Sequence, residues 1–420
     1  MSHHSEKFMT APRILTFSPE EQEQAIENVQ LVVKGQGVLV LKDPDQGGFY
    51  IDMTVEDNTM SFRLTKDGGQ LVVVENGEET IIAPSPELRT NRSPITQISI
   101  DKDKEAAYWL SLECTVNPHD TEEQVQIIKF GIGEVREALV QFNITLTDYA
   151  WLNQLSSFTI PENVLPIEVY RDPVVLDPPL AVIPTDEINI DDIALNRGVV
   201  PANLTAACQI LYKNISGKNF QLNTPEFPHF VDAIEASIKT PGAWCYETLK
   251  DKADEFGEDN PEETYLRITL GDFMGESPGI PYVIEIWPPG HFSPIHNHAQ
   301  ANAIIRVLHG DINVKLFPML SKYHEEPFKE VVFHKDQVTW ITPRYNQTHQ
   351  LINVNKQGPT CITIQCYMYG ADNTAHYKYF DFIGEDGQID QFTPNSDADF
   401  VSFKATMLKE WNERRIQPAL

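Results

Sequence analysis

The stretch PGHFSPIHNHAQANAIIRVLHGDI, residues 289–312, carries two histidines separated by one residue, His296 and His298. Along a strand, residues i and i+2 project to one face, so this spacing aims both imidazoles at the same space. Gly290 and Pro294 bracket the turn that delivers them. Two neutral imidazoles on one face make half of a metal site, and a third ligand must come from elsewhere in the chain. His349 is the candidate. In ITPRYNQTHQLINV it follows the turn containing Pro343 and opens an apolar strand, and Asn353 completes a His-x3-Asn pattern. Three neutral ligands leave a divalent ion its full charge and, if six ligands are preferred, three open positions; imidazole suits iron, zinc, copper and nickel, and a ligand face with open positions suits ferrous iron and oxygen chemistry. His291, His309, His324, His334 and His376 read as ordinary surface or core histidines.

The spacing resembles the two motifs of the cupin superfamily. Gly290, His296, Asn297, His298, Ala303 and Gly310 follow the first, and His349 to Asn353 the end of the second, with an insertion between Pro343 and His349. Ala303 stands where the first motif ordinarily has a glutamate, which leaves three histidines and no carboxylate. Over about residues 242–387 the chain resembles the cysteine dioxygenase family of thiol dioxygenases, through YLRITL, PPGHFSPIHNH and CITIQCYMYGADNTAHYKYFDFIG. That resemblance implies Fe(II) as cofactor, oxidation of a small carboxylate-bearing thiol to its sulfinate with O2, and particular roles. Arg267 would grip the substrate carboxylate, a task suited to a planar guanidinium. Tyr369 would face the metal, and Gln365 and Tyr367 would line the pocket where the family has serine and histidine. These two departures bear on which thiol is taken. Two other readings stay open: a different cupin metalloenzyme (a non-thiol oxygenase, lyase or isomerase), and a non-catalytic protein that holds a metal or ligand.

The elements that must position these residues read as mainly β. Between residues 31 and 150, QGVLVLKD, FYIDMTV, MSFRLTK, QLVVVEN and TQISID alternate and are divided by DPDQGG, KDGG and ENGEE, the pattern of a β-sandwich. YWLSLE and IIKFGIGEVRE there resemble lectin-like sandwich modules of the farnesoic acid methyltransferase-like type, for which a protein or glycan partner is open. Residues 1–30 read as a flexible N-terminus and 151–202, dense in proline, as an extended linker. Residues 203–420 read as two or three helices followed by a cupin (jelly-roll β-barrel) domain; Phe230, Ile234 and Ile238 mark one helix face.

Composition sets the bounds. At 420 residues two domains are expected. The net charge of −29 makes nucleic acid and anionic lipid poor partners. No run of about 18 apolar residues suggests a membrane span, and MSHHSEKFMTAPR lacks an apolar signal core. The five scattered cysteines suit free thiols in a cytosol-like, cytoplasmic compartment.

Overall fold

In the computed structural model the described residues are 14–17, 28–42, 48–65, 67–84, 95, 98, 107–117, 119–160, 167–257, 259–270, 282–298, 301–369, 379–384 and 386–416. The chain divides into two compact units, Met1–Asp177 and Pro178–Leu420.

The first unit is a sandwich of two six-stranded sheets. One runs Ile14–Phe17, Ile167–Tyr170, Gln36–Lys42, Ala107–Asn117, Asp120–Ile132, Val140–Leu146; the other runs Asn28–Gln30, Ser157–Thr159, Phe49–Val55, Asn58–Thr65, Gly68–Glu75, Glu78–Ala83. The alternation in FYIDMTV puts Phe49, Ile51 and Met53 inward. Phe62 of one sheet stacks on Phe130 of the other with ring centroids 4.7 Å apart, which closes the two layers over a common core.

Two boundary expectations need correcting. The segment expected to be a flexible N-terminus holds two strands, Ile14–Phe17 and Asn28–Gln30, the rest of residues 1–27 lying outside the described residues. The partners of these two strands are Ile167–Tyr170 and Ser157–Thr159, inside the stretch expected to be a linker. Neither IEVY nor SFT contains a proline, so the ladder N–H groups are intact. The linker reading fails further on as well: Ala181–Val182 and Gly198–Val199 join a sheet of the second unit.

The second unit is a jelly-roll barrel. Its larger sheet has eight strands in the order Gly198–Val199, Ala181–Val182, Val338–Ile341, Ala301–His309, Cys361–Tyr369, Tyr282–Trp287, Leu266–Thr269, Ala398–Asp399. The opposing layer runs Lys329–Phe333, Ile312–Leu316, His349–Ile352. Single bridges then extend it through residues 292–296 to the hairpin Phe380–Ile383 and Ile389–Phe392. The central strands of the eight-stranded sheet are buried on both faces. On Cys361–Tyr369 the odd residues face the barrel interior, while Ile362, Ile364, Cys366 and Met368 face outward. There they meet Leu211, Phe230, Ile234, Phe403 and Met407 of three helices, Ala206–Ile215, Phe230–Lys239 and Phe400–Ile416. Trp244–Asp251 and the short Ile190–Ala194 are two further helices of this unit. The C-terminal helix Phe400–Ile416 is an addition to the sequence reading. Among its described residues Phe403 and Met407, one turn apart, are fully buried and Phe400 and Trp411 half-buried against the same core, too sparse a stripe to read in isolation.

All five cysteines are free. Cys361 and Cys366 are fully buried, as core residues would be. No helix among the described residues is long and apolar enough to cross a membrane.

Candidate metal centre

His296 lies in the segment that bridges His349 on one side and Phe382 on the other, so the backbone itself brings the two motifs together: His296 N donates to His349 O, and His349 N to His296 O, both at 3.0 Å. The turn before it uses Gly290 at φ +88°, and the hairpin after Ala301–His309 uses Gly310 at φ +68°. A Cβ at Gly310 would come within 2.7 Å of Thr360 O, so that position accepts only glycine without displacement.

The three imidazoles converge. Ring centroids of His296, His298 and His349 lie 4.5–5.0 Å apart, and one ligand nitrogen from each falls within 4.8 Å of the others. All three are buried. His296 Nδ1 donates to Pro294 O at 3.0 Å, and His349 Nδ1 faces the carbonyls of Asn346 and Gln347 at 3.0 Å each. These bonds assign the proton to Nδ1 and turn the Nε2 lone pairs into the site. His349 Nε2 is buried with no protein partner, and His296 Nε2 lies 3.2 Å from His298 Nε2. Burial, with the neighbouring His349, pushes His296 down to about 3; burial pushes His349 down to about 4, and His298 well below the usual imidazole range. All three are therefore neutral near pH 7, the form that binds a cation. Orphaned lone pairs, neutral rings and backbone-fixed tautomers together fit a metal ion of the imidazole-preferring kind.

Around this cluster the wall is aromatic. Phe380 packs on His298 at 4.3 Å and Tyr367 at 5.5 Å, with Phe392 6.2 Å from His296. Ala303 is fully buried and adds no carboxylate, and Asn302 points to the opposite face, where its amide donates to Met368 O.

The other expected site residues share the barrel interior but are not alike in place. Arg267 and Gln365 line, with His296 and His298, a cavity of ≈ 10 Å³, the room of about one water. Tyr367 reaches Gln365 with its hydroxyl. Tyr369 lies on the same inward face but packs in the apolar cluster of Val283, Ala301, Ala303, Ile305 and Ile341. Arg267 differs most from expectation. Its guanidinium is already engaged, Nη1 donating to Glu285 Oε1 at 2.7 Å, with both residues buried. Asp397 fixes the strand beneath it, accepting from Arg267 N at 2.7 Å and donating to Arg267 O at 2.8 Å. Glu285 is the residue that sequence reasoning missed. The available signal was a single carboxylate inside the apolar strand YVIEIW. Burial pushes its carboxyl up, while Arg267 and Lys252 pull it back.

No family model matches the sequence. Among solved structures the chain is similar to the Cupin_2 domain of an XRE-family transcriptional regulator from Enterobacter cloacae, at 15% identity over 25% of this chain and 96% of that one (TM-score 0.20). It is also similar to an oxalate oxidase bound to the substrate analogue glycolate, at 19% identity over 25% of this chain and 51% of that one (TM-score 0.21). A cupin 2 domain-containing protein from Halorhodospira halophila matches at 15% identity over 38% of this chain and 86% of that one (TM-score 0.20). The strand order and register define a jelly-roll β-barrel with a buried three-histidine cluster inside it.

Proposed function

We propose that the barrel is a thiol dioxygenase, with Fe(II) held by His296, His298 and His349, that converts a small thiol to its sulfinate. The observation that carries this reading is the convergence of three neutral imidazoles with no carboxylate ligand among them, beside a buried arginine. Bound Fe(II) would supply Lewis acidity that lowers the pKa of a thiol and the redox chemistry that adds both atoms of O2 to sulfur, so that RS⁻ and O2 give RSO2⁻ with no co-reductant.

The protein's own part is positioning and exclusion of water. The carbonyls of Pro294, Asn346 and Gln347 hold the Nδ1 protons and keep the rings turned inward. Phe380, Phe392 and Tyr367 surround them with apolar surface, which strengthens electrostatic interactions inside. Arg267, Glu285 and Gln365 form the polar end of the pocket, with the Tyr367 hydroxyl bonded to Gln365, and Tyr369 would donate a hydrogen bond toward the thiolate or the oxygen once substrate is in place. A cavity of ≈ 10 Å³ is too small for any such thiol, so admission requires the wall to move. That same tightness favours, as a second reading, a protein that retains a metal without turnover.

The test is to load the protein with Fe(II) without oxygen, add small thiols, and record O2 uptake and sulfinate formation. One O2 consumed per sulfinate, abolished in His349→Ala, is expected. Retained iron with no uptake for any thiol would contradict the dioxygenase reading and favour the second one.

A further inference from the structure

We infer that Glu285 already fills the role of a substrate carboxylate opposite Arg267, so that the thiol this site accepts has no anionic group at its far end. The inference rests on the thiol reading and narrows it. Arg267, Glu285 and Gln365 stand on three adjacent strands, Leu266–Thr269, Tyr282–Trp287 and Cys361–Tyr369, with Arg267 directly opposite Glu285 in the ladder. Glu285 Oε1 accepts from Arg267 Nη1, Glu285 Oε2 accepts from the Gln365 amide, and Gln365 Oε1 accepts from the Tyr367 hydroxyl. The carboxylate is therefore bound on both oxygens, and it springs from a strand paired on both sides. Lys252, the other cation acting on Glu285, is committed to Glu255 and Asp397 at 3.2 Å each.

Charge then decides what can enter. The guanidinium carries one positive charge, and Glu285 neutralises it in a water-poor wall. A carboxylate drawn to the remaining N–H groups of Arg267 would stand beside Glu285, two like charges with little solvent between them, where repulsion is several times stronger than in water. A hydroxyl or ammonium end meets no such repulsion, since it can donate to Glu285 while the thiolate occupies the metal side. Glu285, Arg267, Gln365, His296 and His298 all line the same cavity, so this selection acts on whatever binds there.

The experiment uses the full-length protein loaded anaerobically with Fe(II) and measures calorimetric Kd values for 2-mercaptoethanol, 2-aminoethanethiol and 3-mercaptopropionate. The first two are expected to bind at least about tenfold tighter than the third. In Glu285→Gln, affinity for 3-mercaptopropionate is expected to rise by about tenfold or more relative to that for 2-mercaptoethanol. A gain of binding cannot arise from misfolding; if the variant does not fold, the wild-type ranking decides alone. Tightest wild-type binding of 3-mercaptopropionate, or its weakening in Glu285→Gln, would overturn the inference and leave the thiol reading standing. Binding of none of the three by the iron-loaded protein would remove the thiol reading and this inference with it.

Discussion

At the residue scale, the pair of histidines in PIHNH was legible because a strand repeats every two residues, and two imidazoles on one face have few structural uses. His349 was legible from the turn containing Pro343, the apolar strand it opens and the His-x3-Asn pattern. Glu285 was not, for a physical reason. Its strand is buried on both faces, helices outside and barrel inside, so YVIEIW reads as one apolar run with no inward or outward period. Its partner Arg267 is a neighbour only through the register Arg267↔Glu285. The pair sets a stability prediction. Removing one member leaves a buried charge unmatched, so Glu285→Leu or Arg267→Leu alone should cost ~3–5 kcal/mol, whereas the double substitution should cost clearly less than the sum. Urea unfolding of the two single variants and the double variant measures this; additive losses would show that the pair is not coupled.

At the element scale, the site depends on turns that bring distant strands into register. Gly310 closes the hairpin between Ala301–His309 and Ile312–Leu316, with positive φ and the Thr360 carbonyl against the space a Cβ would take. Gly310→Ala should destabilise the protein by ~1–3 kcal/mol and still bind metal in full stoichiometry at low temperature, because no ligand moves with it. A lowered denaturation midpoint with unchanged metal content checks both halves. The helix Ala206–Ile215 is capped by Thr205, whose hydroxyl accepts from Cys208 N at 3.3 Å. Thr205→Ala should cost ~1 kcal/mol, read as a small drop in the same midpoint. The sequence concealed other elements. The strands at 157–159 and 167–170 are short and lie amid prolines, which hid that they pair with segments more than a hundred residues away. The C-terminal helix was hidden because, among its described residues, just Phe403 and Met407 are fully buried.

At the scale of the whole molecule, the division at residue 177 places every candidate ligand, the aromatic wall and the Arg267–Glu285 pair in the second unit. The core clusters that support the barrel are built from residues of that unit as well. Residues 178–420 produced alone should therefore fold with a cooperative transition and bind metal as the full chain does; a fragment that is unfolded, or folded but unable to bind, would contradict this. The most direct measurement of the central claim is the metal content of purified, Fe(II)-reconstituted protein beside His349→Ala, determined by elemental analysis with folding checked by circular dichroism. Close to one iron per wild-type chain and almost none in a folded His349→Ala protein are expected. Full iron in that variant, or none in the wild type, would contradict that claim.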